Sequence, residues 1–260
     1  MRICFVNSIL AAAGAVALVC AVPRMASAQG AYKVPRTADG TPDLQGIWQV
    51  RNTSAAFDLQ DHGGALGIPP GRSIIVDPPD GKIPYKPEAL AKREENFKNR
   101  DEADTFNKCY MPGVPRITLL DYPFQIFQTP KYTIIAYEYN HIYRTIFTNG
   151  SEHIDGLDFW LGDSRGHWDG DSLVVDITDF NDQTWFDASG DYHSGNLHVV
   201  ERYTRTSPNT LQYEATIQDP DVFTRPWKIS LPLYRHTEPN FRILEYECQA
   251  YEDEAAKGSK

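Results

Sequence analysis

The sequence predicts an all-β protein whose strands close into an antiparallel barrel with long rim loops and one peripheral helix. Two observations support this fold class. From residue 109 onwards, short runs rich in Val, Ile, Tyr, Phe and Thr follow one another along the chain. Turn-forming pairs such as Asn149-Gly150 and Asp169-Gly170 separate these runs. Many short strands with short links are typical of antiparallel barrels and sandwiches.

The runs define the predicted elements in order. A first strand is expected at residues 44–50, and short strands are expected at 73–76 and 82–85. The remaining predicted strands are residues 124–128, 132–139, 142–147, 173–177, 197–203, 211–217, 227–233 and 241–248. Residues 87–100 predict the helix, because Pro stands near the start, Glu lies in the first turn and basic residues follow. Its narrow apolar stripe indicates a position on the outside of the barrel.

The N-terminal residues have the pattern of a secretory signal. A basic start precedes an apolar run over residues 3–22, and Ala26-Ser27-Ala28 supplies a cleavage site, so residues 1–28 are expected to be removed. An uncleaved membrane anchor is the alternative. Loss of Arg2 and Arg24 changes the net charge from −10 to −12, which disfavours binding to nucleic acid or to anionic membranes. We therefore expect a periplasmic or secreted protein.

The rest of the chain is long enough for one domain. Residues 29–44 are polar and contain Pro, which predicts an extended arm, and residues 45–251 are expected to form a single barrel-like domain. The charged residues 252–260 predict a disordered tail. Cys109 and Cys248 remain after signal removal, and in an oxidising compartment they most simply form one disulfide. Two separately buried thiols are the alternative.

Several motifs occur in order along the chain: P-G-V-P-R at 112–116, P-F-Q-I-F-Q-T-P at 123–130, Y-R-T-I-F-T-N-G at 143–150, G-D-S-R-G-H-W-D-G-D-S-L-V-V-D at 162–176 and L-H-V-V-E-R at 197–202. As a set, they make the sequence similar to a large group of secreted, mostly uncharacterised bacterial proteins. The resemblance implies a secreted β-rich fold with a shared site, but no particular activity. Gly46-x-Trp48 also resembles the opening of lipocalin-type barrels, so a lipocalin- or calycin-like barrel is expected.

Strand alternation separates two faces of residues 197–203. Leu197, Val199 and Tyr203 make one face the more apolar, so this face should point inward and carry Glu201 with it. A carboxylate inside a barrel must be paired, hydrogen-bonded or protonated. Arg144 on a neighbouring strand is the expected partner. The pair could fix strand order only, or it could orient a ligand or a base.

Two histidines, His153 and His193, lie on predicted loops among aromatic and acidic residues. Because histidine titrates near neutral pH, the two at one barrel end, with Asp187 and Glu201 nearby, could act as general base and acid. Solvated loop histidines are the alternative. The aromatic residues expected to bind substrate are Trp160, Trp168, Trp185, Phe186, Tyr192 and Tyr143.

Cofactor motifs are weak or absent in the sequence. His193, His198 and Glu201 give an H-x4-H-x2-E spacing, but on a strand His198 and Glu201 face opposite sides, so neither a metal nor another cofactor is expected. The chain has no G-x-S-x-G and no phosphate-binding loop. Two functions remain. One is an acid–base enzyme of lyase, isomerase or hydratase type acting on a small aromatic, terpenoid-like or sugar-like substrate in the barrel cavity. The other is a non-catalytic lipocalin-like binding protein.

Overall fold

The computed structural model describes residues 32–65 and 67–258, so the predicted signal segment lies outside the described residues. The strands are β1 Gly46–Val50, β2 Ile75–Asp77, β3 Phe124–Gln128, β4 Tyr132–Tyr137, β5 Tyr143–Phe147, β6 Asp163–Asp169, β7 Ser172–Thr178, β8 His198–Ser207, β9 Thr210–Gln218 and β10 Trp227–Arg235. The helices are α1 Pro87–Lys98, α2 Arg100–Ala103, α3 Arg116–Leu119 and α4 Cys248–Gly258, with a 3-10 turn at Thr105–Lys108. The predicted all-β class with its peripheral helix α1 is confirmed.

Nine strands form a closed barrel. They neighbour one another in the order β1-β3-β4-β5-β6-β7-β8-β9-β10, and β1 also pairs with β10 to close the ring. β2 lies outside the ring and pairs with residues 228–229 of β10, on the edge that β1 uses further along. Between the ten strands named above, all pairings are antiparallel except that of β5 with β6. A parallel pair needs a long crossover, which residues 148–162 provide.

Large side chains fill the barrel. Alternate residues of β8, β9 and β10 are buried, as expected for strands with one inward face. Among the most completely buried side chains are Trp48, Phe124, Tyr203, Tyr213 and Trp227. All four residues of α3 are buried as well, and the hydroxyl of Thr118 lies 3.2 Å from that of Tyr137. α3 therefore packs against the inward side chains of the barrel.

Two predicted strands are wrong. Residues 82–85 contribute only an isolated bridge between Tyr85 and Phe223. Residues 241–248 form no strand and leave Phe241 and Leu244 exposed. Because β1 and β2 already occupy the free edge of β10, a further C-terminal strand has no edge there to pair with.

The strand β6 was not predicted. Its inward positions carry Ser164 and Gly166 instead of a continuous apolar set, so the alternation that marks a strand is weak. Gly166 has a packing reason: a Cβ there would lie 2.7 Å from Cγ2 of Ile146 on the neighbouring β5. The missing side chain lets β5 and β6 approach closely at their parallel contact.

The Cys109–Cys248 disulfide is present and joins residues 139 apart in sequence. It fixes the start of α4, which continues to Gly258 through the segment expected to be a disordered tail. That segment is rich in Ala, Glu and Lys, which are good helix formers, so an anchored first turn can extend through it. No helix in the described part of the chain is long and apolar enough to cross a membrane.

Candidate functional site

A partly exposed group of chemically active side chains lies on the outside of the barrel. His153, on the 148–162 crossover, contacts two carboxylates at once: its Nδ1 lies 3.0 Å from Oδ2 of Asp163 and its Nε2 lies 2.9 Å from Oδ1 of Asp176. An imidazole donates from both nitrogens only when it is protonated. These contacts therefore have the geometry of an imidazolium held between two carboxylates.

His198 completes this group. Its Nε2 lies 2.9 Å from Oδ2 of Asp176, so one carboxylate contacts two imidazoles. The strand register explains the contact: Asp176 is paired with Val200, and His198 is the diagonal neighbour on the same outward face. No described residue hydrogen-bonds to the other ring nitrogen, Nδ1. The side chains of His198 and Asp176 are 37% and 43% exposed, so this dyad is accessible to a substrate.

Arg165 neutralises Asp163, the buried carboxylate of the same group. It donates to both oxygens of Asp163, at 2.8 and 2.9 Å, and to the hydroxyl of Ser151. We call the set His153, Asp163, Arg165, Asp176 and His198 the outer cluster. The exposed side chains of Ile154 and Leu157 lie on the same crossover, where the amide of Ile154 donates to Oδ2 of Asp163 at 3.2 Å.

Electrostatics keep Asp176 ionised. Partial burial acts to raise its pKa, but hydrogen bonds from His198 and His153 and the charge of both rings outweigh burial, so the pKa lies below its ordinary value. A carboxylate that stays charged orients an imidazole and stabilises its protonated form. The outer cluster therefore combines imidazoles with an ionised carboxylate, the groups needed for proton transfer.

The inward orientation predicted for Glu201 and Arg144 is confirmed. Nη1 of Arg144 lies 2.8 Å from Oε2 of Glu201, and Nε of Arg144 donates to Ser164 at 2.9 Å. The two charged groups form an ion pair, but their relative orientation does not make a hydrogen bond. Nη2 of Arg144 also has no acceptor among the described residues. Burial acts to lower the pKa of Arg144, but the charge of Glu201 outweighs it and raises the pKa.

Two tyrosines complete the inner network. The hydroxyls of Tyr213 and Tyr203 donate to Oε1 of Glu201 at 2.6 and 3.3 Å. Burial, followed by the charge of Glu201, raises both tyrosine pKa values well above normal, so both phenols keep their protons. With Glu201 fully buried, the network fits a structural role, and its predicted catalytic role remains a prediction.

His193 lies on the predicted β7–β8 connection, but its side chain is only 2% exposed. Its Nδ1 donates to the carbonyl of Ser194 at 2.8 Å, so its Nε2 accepts from the hydroxyl of Thr184 at 2.7 Å. The rings of Phe180 and Phe186 pack against it. Burial lowers its pKa, which favours the neutral ring. His193 and His153 share no hydrogen-bond partner among the described residues, so no hydrogen bond links the two predicted acid–base groups there.

Asp187 belongs to a third group, a buried cluster of carboxylates. It lies with Asp58 and Asp191, and one oxygen from each falls within 4.8 Å of the others. Burial, followed by the charges of Asp191 and Asp58, raises the pKa of Asp187 well above its ordinary value. Among the described residues, Asp187 forms no hydrogen bond or ion pair with a member of the outer cluster.

The aromatic residues predicted to bind substrate are dispersed. Trp185, Phe186 and Tyr192 are buried, and Phe186 packs edge-on against Trp227 in the core. Trp168 packs partly buried against the core, Trp160 stacks on Tyr110 at 5.1 Å, and Tyr143 is 73% exposed. Their binding role remains a prediction.

Sequence reasoning missed His198, Asp176 and Asp163 as site residues. The outward parity of His198 was visible, but its partner is 22 residues away and is found only from the register of β7 against β8. Two members of the outer cluster, His153 and Asp163, also offer donor atoms for a metal together with Asp179, because ligand atoms of the three residues lie within 4.8 Å of one another. Arg165 already occupies both oxygens of Asp163, which disfavours a cation there.

Comparison of the chain with protein families, with curated proteins and with solved structures found no match.

Proposed function

We propose that this protein is an exported acid–base enzyme of lyase, isomerase or hydratase type, and that the outer cluster carries its chemistry. The observation that supports this most is the Asp176 carboxylate shared by two imidazoles on an accessible face. His198 is the general base or acid, because its Nδ1 has no described protein partner while Asp176 orients the ring. His153, between Asp163 and Asp176, positions the Asp176 carboxylate.

The substrate class follows from the surroundings of the dyad. Exposed Ile154 and Leu157 favour an apolar body, and a carboxylate-rich site disfavours an anionic substrate because like charges repel. A small, uncharged aromatic, terpenoid-like or sugar-like compound with an exchangeable proton meets both conditions. It would bind on the outer face, since large side chains occupy the inward positions of the barrel.

The same filled interior favours an enzyme over a carrier of lipocalin type. A carrier needs an internal cavity for its ligand, whereas Trp48, Tyr203 and Tyr213 are almost completely buried inside. Surface cavities of about 480 and 580 Å³ lie among loop and strand residues, the second of them between Gln49, Tyr122 and Phe241. A binding protein remains the second candidate, with those surface cavities as its sites.

Proton transfer can be tested before the natural reaction is known. The purified protein would be incubated in D2O with a panel of small aromatic, terpenoid and sugar-like compounds, and deuterium incorporation would be followed by mass spectrometry. We expect enzyme-dependent exchange into at least one compound. His198→Gln and Asp176→Asn should each reduce the exchange about 100-fold or more, as for loss of a general base.

His141→Gln is a matched control. His141 is also a half-exposed histidine paired with a carboxylate, Glu247, at 2.9 Å, but it lies outside the outer cluster. We expect its exchange rate to equal that of the wild type. Full exchange by His198→Gln would refute the assignment of the base. Tight binding of a compound without any exchange or turnover would instead support the binding protein.

A further inference from the structure

A segment of the β7–β8 connection places oxygen atoms at alternate positions. In Asp187-Ala188-Ser189-Gly190-Asp191, the residues at i, i+2 and i+4 all carry side-chain oxygens. Gly190 adopts φ +83°, a conformation that disfavours other residues, and packs against the backbone of α1. The turn brings the amides of Ser189 and Asp191 to Oδ1 of Asp187 at 2.9 and 3.4 Å. The turn therefore brings the carboxylates of Asp187 and Asp191 close together.

Asp58 joins them from a distant part of the chain. One oxygen of each of Asp58, Asp187 and Asp191 lies within 4.8 Å of the other two. The amide of Leu59, next to Asp58, donates to Oδ2 of Asp187 at 2.9 Å and fixes the approach of this loop. Asp187 and Asp191 are fully buried, and the side chain of Asp58 is only 13% exposed.

The described residues do not balance the charge of this group. Arg93 contacts Asp191 at 3.0 Å and Asp58 at 3.1 Å, and the hydroxyl of Tyr85 donates to Oδ1 of Asp191 at 2.9 Å. If all three carboxylates are ionised, the single guanidinium of Arg93 leaves an excess of two negative charges away from water. Oδ2 of Asp191 is buried and has no hydrogen-bond partner. Such an oxygen in a charged cluster is a strong indication of a missing cation or proton.

From this geometry we infer a structural calcium site formed by Asp58, Asp187 and Asp191, independent of the outer cluster. A divalent ion supplies the two missing positive charges and a partner for Oδ2 of Asp191. The available ligands are all oxygens, with the buried hydroxyl of Ser189 next to Asp58. Hard oxygen donors select calcium or magnesium over zinc or copper, and an irregular set drawn from two loops suits calcium, which tolerates irregular geometry.

The ion has a route to the site. Tyr85 and Arg93, which both contact Asp191, also line a surface cavity of about 520 Å³. Movement of the partly exposed Arg93 side chain would open the carboxylates to this cavity. The ion would join the 58–59 loop, the β7–β8 connection and, through Arg93, helix α1.

Calcium binding by the chelator-treated, full-length protein tests the inference. Titration calorimetry with CaCl2 should find about one ion per chain. At a calcium concentration about 100-fold above Kd, the Tm should rise by about 5 °C or more. Asp191→Asn should abolish both effects. Asp58→Asn changes a less buried ligand and should weaken calcium binding at least about tenfold. This variant tests the site if Asp191→Asn fails to fold.

Asp101→Asn is the matched control, because Asp101 is 89% exposed on α2 and contacts only Arg100, at 3.7 Å. Its calcium affinity should equal that of the wild type. Magnesium at the same concentration should give a smaller shift of the Tm. The inference is overturned if the wild type neither binds calcium nor gains stability from it, the result expected if Asp187 and Asp191 share protons instead. It is also overturned if Asp58→Asn and Asp191→Asn both bind calcium with unchanged affinity.

Discussion

Nη1 of Arg144 and Oε2 of Glu201 lie 2.8 Å apart inside the barrel, with side chains 2% and 0% exposed. The pair links β5 to β8, strands separated in the ring by β6 and β7. Two buried charges that compensate each other contribute little net stability, but removal of one leaves the other uncompensated. The two partners are therefore expected to be strongly coupled.

The first prediction concerns this coupling. Glu201→Ala should lower the free energy of unfolding by about 3 to 5 kcal/mol, because it leaves the Arg144 guanidinium buried without a counter-charge. The double variant Arg144→Met with Glu201→Leu should recover much of this loss, since an apolar pair of similar volume needs no charge compensation. Urea unfolding of the single and double variants measures both. Additive losses would contradict the coupling.

The second prediction concerns the Cys109–Cys248 disulfide. The bond closes a loop across a sequence separation of 139, and the chain-entropy estimate for a loop of this length is about 4 to 5 kcal/mol. The double variant Cys109→Ser with Cys248→Ser should lose a few kcal/mol of unfolding free energy, and α4 should lose helicity because its first residue is released. The rate of deuterium incorporation into a substrate, which is assigned to the outer cluster, should be unaffected. Urea titration and circular dichroism test the first two points.

A third prediction follows from the low pKa of Asp176. The folded pKa lies below the ordinary value of 3.8, so the folded state binds this proton less readily than the unfolded state. The stabilisation from Asp176 is therefore complete above pH 3.8 and is lost as the pH falls through the folded pKa. The stability difference between the wild type and Asp176→Asn should shrink over that acidic range. A difference that grows on acidification would contradict the assignment.

The fold was predictable to the extent that strands carry alternating apolar residues. β3 was predicted with its observed bounds because its sequence F-Q-I-F-Q is rich in strand-forming residues, and the alternate residues Phe124 and Ile126 are buried. β6 was missed because its inward positions include Ser164 and Gly166, whose fit depends on neighbouring strands and not on hydrophobicity. For residues 241–248 the local pattern favours a strand, but pairing partners are a property of the whole sheet.

The candidate site was predictable only in part. Of the predicted catalytic residues, only His153, identified from residue type and loop position, belongs to the outer cluster. Strand parity gave the inward orientation of Glu201 and Arg144, but their predicted catalytic role and that of Asp187 stay predictions. The contact of His198 with Asp176 depends on inter-strand register, which the sequence of one strand does not contain. The burial of His193 depends on Phe180 and Phe186 folding over it. Loop histidines look alike in sequence until their packing is known.

The fourth prediction separates the two loop histidines by stability. His193→Ala should lower the free energy of unfolding by about 2 to 4 kcal/mol, because it creates a cavity between two phenylalanines and leaves the buried Thr184 hydroxyl without a partner. His153→Ala should cost about 1 kcal/mol or less, since its ring is 28% exposed and Arg165 still neutralises Asp163. Thermal unfolding of both variants compares them. Equal Tm values would contradict the core position of His193.

The last prediction concerns Gly162, at the end of the crossover that carries His153. It adopts φ +65°, and a Cβ there would lie 2.5 Å from Cγ2 of Ile177 and 2.8 Å from Cζ of Phe180. Gly162→Ala should therefore lower the free energy of unfolding for two reasons. The left-handed backbone costs about 1 to 2 kcal/mol, and overpacking of the core costs about 1 to 3 kcal/mol.

Gly170→Ala is the matched control for this last change. Gly170 adopts φ +60° in the β6–β7 turn, but no atom lies within 4 Å of its Cβ position. Gly170→Ala should lower the free energy of unfolding only by the cost of the left-handed backbone, about 1 to 2 kcal/mol. The difference between the two variants in urea unfolding isolates the packing of Ile177 and Phe180 against the crossover. Because that packing holds Asp163 and His153 beside Asp176, Gly162→Ala should also slow proton exchange, whereas Gly170→Ala should not. Equal losses of stability would show that the crossover is not packed as described.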